Sequence, residues 1–518
     1  MSTILNSATP GSSRRVLITL SVMLATIMQA LDTTIANVAL PYMQGEMGAN
    51  QEQISWVLTS YIVAAAIFLP LTGFLGNRFG RKRLFIWSVV GFTVASMLCG
   101  AAQNLPQIVL FRLLQGIFGA SLVPISQSVL LDIYPPKQHG SAMAIWGMGV
   151  MIGPIIGPSL GGWLTEYYSW RWVFYINFPL GLLAWAGLAT FLEENKLEHE
   201  KIFDFMGFAF LSIAIGSFQL FLDRGESLDW LNSNEIIIEG ILSVLCLYLF
   251  IAHILTTKQP FLEPRMFKDR NFSVGLIFIF TIGIILLATM ALLPPFLQGL
   301  MGYPVIDIGI VLAPRGMGTM VAMMIVGKLS GKVDTRYQIF LGLILTSYSL
   351  WLMTLFNTDI TSYDIIYTGV IQGFGLGFIF VPLSTLTFAT LPAQYRNDGT
   401  PLFSLLRNIG SSIGISVVMS KLAQNLQANH EAFSAYITPF SLSLRQASES
   451  GMMNIKTIQG IATLNAEVTR QAITLAYLQD FRFMMWLVIS AIPLLLFLKP
   501  PVNNTNETGS TPFAEFEA

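Results

Sequence analysis

The pattern of hydrophobic and polar positions divides the chain into long apolar runs separated by short polar connections. Each run approaches or exceeds the roughly 20 residues with which a helix crosses the hydrocarbon core of a bilayer. The runs fall near residues 16–40, 54–75, 84–103, 107–131, 139–163, 172–192 and 204–222. They continue near 235–256, 273–297, 305–326, 338–356, 365–391, 401–421 and 481–499. This predicts an all-α polytopic membrane protein with fourteen transmembrane helices. The run at 204–222 is short, and the one at 401–421 carries Arg407. Arg14 and Arg15 precede a first run that continues to Pro41 with no early small-residue cleavage site, so it reads as a spanning helix and not as a signal peptide.

Charge placement agrees with an even number of spans. With both termini cytoplasmic, most of the 28 Lys and Arg fall inside, among them Arg14, Arg15, Arg78, Arg81, Lys82, Arg83, Lys137, Lys196, Lys201, Lys328, Arg336 and Lys499. The segment 422–480 then lies outside. It is mostly polar, and its part from Asn454 to Gln479 reads as partly helical. The tail 501–518 is polar and cytoplasmic.

Composition narrows the function. Of 518 residues, 53% are hydrophobic and 11% charged, where soluble domains are about a quarter charged. The net charge of -1 gives no sign of a nucleic-acid partner. Cys99 and Cys246 lie in apolar runs without metal or disulfide spacing, and the four histidines are scattered. No metal or cofactor is therefore expected. No phosphate-binding Gly-Lys-Ser/Thr loop occurs, so transport driven directly by ATP on this chain is not expected, nor is enzymatic catalysis. The 37 Phe and 23 Met offer soft surfaces for apolar ligands or for lipid.

The text repeats itself. "QGIFGASLVP" from Gln115 and "QGFGLGFIFVP" from Gln372 start 257 residues apart. "GFLGNRFGRK" from Gly73 and "GKLSGKVDTR" from Gly327 start 254 apart. The near-equal offsets predict two six-helix halves, 1–200 and 261–500, around a two-helix insert at 201–260. Duplicated halves suit a transporter that rocks around a central site.

Several motifs carry mechanism. In "GFLGNRFGRKR", Gly73 and Gly80 permit a tight turn and close helix approach, beside Asn77, Arg78 and Arg81. In "GMGVMIGPIIGPSLGG", Gly149, Gly153 and Gly157 leave one helix side nearly bare, while Pro154 and Pro158 remove helix hydrogen bonds and bend the span. Such a helix suits a sliding contact. Asp132 and Asp223 read as caps at span ends.

Asp32 stands alone in "MLATIMQALDTTIANVALP", and Arg112 enters the fourth run at a similar depth. Burial favours the neutral carboxyl and a nearby arginine favours the carboxylate, so the pair is suited to exchanging a proton. It is read either as the proton carrier or as a lock between two helices. Gln29, Thr33 and Asn37 widen a polar stripe beside Asp32. Gln115, Gln372, Arg315 and Arg407 are further candidates for a substrate pocket or gate, though each arginine also suits an interface.

These stretches resemble the major facilitator superfamily, and within it the fourteen-helix drug/proton antiporters. "LDTTIANVALP" looks like that family's first-helix signature, "GFLGNRFGRK" its loop motif, "FRLLQG" its fourth-helix motif, and "GPIIGPSLGG" with "WRWVFYINFPLG" its antiporter motif. "LDRGESLDW" and "SQSVLLDIYPP" resemble the inner-membrane subunits of Gram-negative tripartite pumps of the EmrB type. The resemblance implies multidrug efflux from a bacterial inner membrane, exchanging protons for hydrophobic, often weakly acidic or uncoupler-like compounds. It also implies a periplasmic adaptor protein and an outer-membrane channel. Asn77 departs from the loop motif, which usually has aspartate there. A same-fold exporter of a siderophore, metabolite or lipid is the alternative, and a non-transporting sensor a further one.

Overall fold

The computed structural model describes residues 12–194, 203–438 and 457–499. The expected tail 501–518, the boundary near residue 200, Lys196, Lys201 and the middle of the 422–480 segment lie outside them. Seventeen α-helices make up the described residues. The first nine are α1 (Ser12–Met47), α2 (Gln51–Phe68), α3 (Leu71–Phe79), α4 (Arg81–Ala101), α5 (Leu105–Gly119), α6 (Leu122–Ile133), α7 (His139–Tyr167), α8 (Trp172–Tyr175) and α9 (Asn177–Phe191). Then come α10 (Phe205–Arg224), α11 (Asn234–Thr256), α12 (Arg270–Pro295), α13 (Val305–Leu329), α14 (Thr335–Met353), α15 (Ser362–Ala389), α16 (Arg396–Tyr436) and α17 (Ile458–Ala491).

Polar residues at the ends of apolar runs start the helices. Asn50 and Gln53 form a reciprocal capping box on α2, with Asn50 Oδ1 accepting from the Gln53 amide at 2.7 Å. Asn104 caps α5, Asp204 α10, Asp269 α12 and Thr457 α17. Among the described residues twelve helical segments are long and apolar enough to cross a membrane, thirteen when the bent pair Glu52–Phe68 and Leu71–Phe79 counts as one span. The chain is a multi-pass membrane protein. The expected span 54–75 is broken by Pro70, with a bend of 57°. The helix α14, at the expected span 338–356, is not among the twelve. The short run at 204–222 and the Arg407 run both are. Helix α16 continues through Tyr436, well into the segment read as a loop, and α17 runs from Ile458 through the stretch read as partly helical.

Helix α7 holds the assembly together. It packs on α1 along one side and on α13 along another. It remains helical through Pro154 and Pro158. The glycines earn their place on the α1 side. A Cβ on Gly153 would run into the backbone of Ala30, and one on Gly157 would lie 2.8 Å from Thr34 Cβ. The close approach lets Thr34 Oγ1 donate to the Gly153 carbonyl at 3.1 Å. The neighbouring turn of α1 carries Asp32.

Candidate functional site

Asp32 is 2% exposed and Arg112 is 1% exposed. Arg112 NH1 donates to Asp32 Oδ2 at 2.7 Å, a direct ion pair between α1 and α5. The other carboxylate oxygen, Oδ1, accepts from Gln115 Nε2 at 2.7 Å and Asn177 Nδ2 at 2.8 Å. Arg112 also donates to Gln115 Oε1 at 2.8 Å and to the Val57 carbonyl at 3.1 Å. Its guanidinium lies 4.4 Å from the Tyr61 ring centroid. Five helices thus supply partners: α1, α2, α4, α5 and α9, with Ser96 of α4 accepting from Asn177 at 2.9 Å.

Such a pair depends on all of its partners for compensation. Removing one member of a buried ion pair costs about 3–5 kcal/mol, because the other charge is left without compensation. The arrangement ties α1, α2, α5 and α9 to one another through a single buried cluster.

The stripe expected around Asp32 is only partly assembled. Gln29 turns to the Tyr61 hydroxyl at 3.2 Å, Thr33 donates to the backbone of its own helix, and Asn37 is exposed. Asn177 was missed. Its signal was a single amide in the apolar text "YINFPLG", but nothing in the sequence aligned it with a carboxylate 145 positions earlier.

Gln372 is fully buried, and its Nε2 donates to Thr289 Oγ1 at 3.3 Å. Arg315 is 7% exposed on α13, so it does not reach an interface. Its guanidinium donates to the Leu286 carbonyl at 3.4 Å. Arg407 is half-buried on α16, with a long 3.5 Å contact to the adjacent Asn408. Neither arginine joins an ion pair among the described residues. A small apolar cleft, lined by Met151, Ile282, Leu286, Thr319, Met323, Leu376 and Phe380, lies next to the Leu286 carbonyl that Arg315 contacts.

The loop motif forms a clasp. The turn at Gly80 has φ +92°, a left-handed conformation suited to glycine. Gly73 packs against Asn397 and Asp398, where a Cβ would lie 2.8 Å from the Asn397 carbonyl oxygen. Asn77 Oδ1 accepts from Asn397 Nδ2, and Asn397 Oδ1 accepts from Ser128 at 3.1 Å. Arg81 pairs with Asp132, which also faces Arg396 at 3.6 Å. Arg78 lies 5.9 Å from the Phe74 ring centroid. Asp132 was expected to be an end cap; instead it ties α4 to the start of α16 through two arginines. Asp223, likewise expected as a cap, accepts from Thr59 of α2.

Comparison with known proteins agrees with this architecture. Residues 22–415 match the family model of the Major Facilitator Superfamily. The chain is 35% identical to the fatty acid resistance protein FarB of Neisseria gonorrhoeae over 489 residues, 94% of this chain and 96% of that one. It is 34% identical to the multidrug export protein EmrB of Escherichia coli K12 over 491 residues, again 94% and 96% of the two chains. The human organic anion transporter MFSD10 superposes with a TM-score of 0.56 at 13% identity, covering 92% of this chain and all of that one, which supports the fold.

Proposed function

The chain belongs to the major facilitator superfamily, and on that premise we propose that it exports hydrophobic and amphipathic compounds across a bacterial inner membrane in exchange for protons. It is a transporter homologous to multidrug export proteins and not an enzyme. The observation that carries the proton-coupled reading is the sealed Asp32–Arg112 pair, whose charge depends on partners from several separate helices. Alternating access moves such helices against one another, so the proton and the conformation exchange together.

The finer architecture belongs to the same proposal: two six-helix halves, a two-helix insert, fourteen spans and cytoplasmic termini. The offset of 257 residues between Gln115 and Gln372 also carries Asp32 onto Thr289. Each glutamine amide bonds its own partner, Asp32 in one case and Thr289 in the other, which supports a duplicated design. The basic connections support the orientation. The paired ends of α16 and α17 offer a periplasmic surface for an adaptor protein that leads to an outer-membrane channel.

The test is substrate-driven proton movement in liposomes containing the purified chain, with a panel of amphipathic compounds. At least one compound should drive proton flux. A panel that moves through the protein without any proton flux would exclude antiport. Active export of siderophores or metabolites with no amphipathic drug transported would favour the alternative cargo.

A further inference from the structure

We propose that Asp480 is a second proton-binding carboxyl, held as the neutral acid where α16 and α17 leave the membrane and ionised when the outer solution turns alkaline. The proposal goes beyond the export reading and shares only its orientation, with the termini cytoplasmic.

Two helices bring the site together. The apolar run 401–421 ends at Lys421 on α16, and the run 481–499 begins just after Asp480 on α17. The two helices pack along each other at this level. Asp480 is 0% exposed. Asn425, one turn beyond Lys421 on α16, donates from Nδ2 to Asp480 Oδ1 at 3.3 Å. Among the described residues Asp480 Oδ2 has no hydrogen-bond partner and the carboxyl joins no ion pair.

The charged and titratable groups around it leave it that way. Lys421, the cation on the facing helix, lies over an aromatic ring instead, with Nζ 5.0 Å from the Phe483 centroid. His430, further out on α16, is engaged with Asn465 at 3.2 Å. On α17 itself Tyr477 is buried one turn away and Arg482 is exposed. At the ends of α12 and α14 the helix meets Phe296 and Phe356, whose rings pack on Tyr477 and Phe481.

The contrast with Asp32 decides the protonation state. Asp32 has an arginine and two amide donors. A buried carboxylate without such compensation is costly. The neutral acid is not, because its hydroxyl can donate to the amide oxygen of Asn425 while its carbonyl accepts from the amide nitrogen. The anion offers only acceptors and cannot return that bond. Ionisation requires Lys421 to leave Phe483 and turn toward the carboxylate, or water to enter between the helices. Either change loosens α16 from α17 at the outer surface. The seam is therefore tightest when the outside is acidic, the condition under which inward proton flow drives export. Met484, one turn inward from Asp480, lies 3.9 Å from Thr289 Oγ1, so the site adjoins the polar centre that holds Gln372. Cargo binding leaves this proton in place, and release on binding belongs to Asp32.

The experiment is infrared difference spectroscopy on the purified full chain as the pH is raised from about 6 to about 9, a range in which an unperturbed carboxyl is already ionised. Wild type should lose a C=O stretch of a protonated carboxylic acid. Asp480→Asn, which keeps the shape and bonding of the neutral acid, should lack that signal and unfold at the same temperature as wild type at about pH 6. K421M should shift the loss to higher pH, because the ionised form is left without its cation. D32N should keep the signal. A wild-type signal that persists in D480N, no carboxylic acid signal in this range, or marked destabilisation of D480N at the acid end would overturn the proposal. A D480N-sensitive signal in a chain that moves no protons with cargo would leave this assignment standing and refute proton antiport instead.

Discussion

The two buried polar centres of this protein are built from matching text and hold opposite charge logic. Around Asp32, a carboxylate, an arginine and two amides satisfy one another, and the cluster is neutral. At the same offset of 257 residues, Thr289 stands where Asp32 would and Gly369 where Arg112 would. Gln372 keeps the glutamine position but bonds a hydroxyl, and its Oε1 has no partner in the structure. The arginine nearby comes from another helix: a Cβ on Gly369 would lie 3.4 Å from Arg315 Cβ. One centre is a closed ion pair. The other has an arginine, Arg315, with no counter-ion among the described residues. The difference teaches that similar text at a fixed offset can build one closed ion pair and one centre that keeps only the glutamine.

The largest break in this comparison is Arg112→Ala. It strands a buried carboxylate, so stability should fall by about 3–5 kcal/mol unless Asp32 takes up a proton, and transport should be lost. Arg14→Ala, at an exposed pair with Glu193, should change stability by less than about 1 kcal/mol. Thermal unfolding in detergent compares them, and equal effects would mean that the buried pair is not special.

Glutamine substitutions sharpen the contrast. Gln115→Ala removes a donor to Asp32 and an acceptor for Arg112, and should cost about 2–3 kcal/mol because charged groups lose partners. Gln372→Ala removes one bond to a hydroxyl and should cost about 1 kcal/mol. The ratio read from unfolding midpoints checks the assignment, and a larger effect at Gln372 would reverse it.

The smallest effect lies outside both centres. Asp204 accepts from the amides of Gly207 at 2.9 Å and Phe261 at 3.0 Å, and from His253 at 2.8 Å. Burial pushes its pKa up, but these bonds outweigh it and hold the carboxyl below its usual 3.8. A lowered native pKa makes the contribution complete above the unfolded value and lost as pH falls through the native one. Asp204→Asn keeps one accepting oxygen and loses the charged one, and should therefore cost about 1 kcal/mol at neutral pH. The difference from wild type should shrink only when the pH drops below about 3.8. A gap that closes already near neutral pH would assign the effect to another group.

Much of this was legible in the sequence, for physical reasons. Membrane helices must satisfy their own backbone, so apolar length marked the spans. A lone carboxylate and a lone arginine at one depth have few alternatives to pairing, and they pair. Asn177 escaped because its partner is set by how α9 packs on α4 and α1, which no local spacing records. Gln29 was assigned to Asp32 by nearness on the helix, yet Tyr61 on α2 offers it a hydroxyl. The extension of α16 read as loop because it is polar, whereas the Asn454–Gln479 stretch that opens α17 already read as partly helical. They stay helical by pairing with each other along a polar seam, Asn425 with Asp480, Asn429 with Gln479 and His430 with Asn465. The role of Asp132 was hidden because Arg396, its second partner, lies far along the chain.

The most direct test of the central claim is proton release when substrate binds. Purified wild type and Asp32→Asn are mixed with a transported compound in weakly buffered detergent solution, and the proton count is read with a pH-sensitive dye. Wild type should release close to one proton per compound bound, and D32N should bind the compound and release none. Equal release from both would contradict the assignment of Asp32 as the proton carrier and leave the pair as a structural lock.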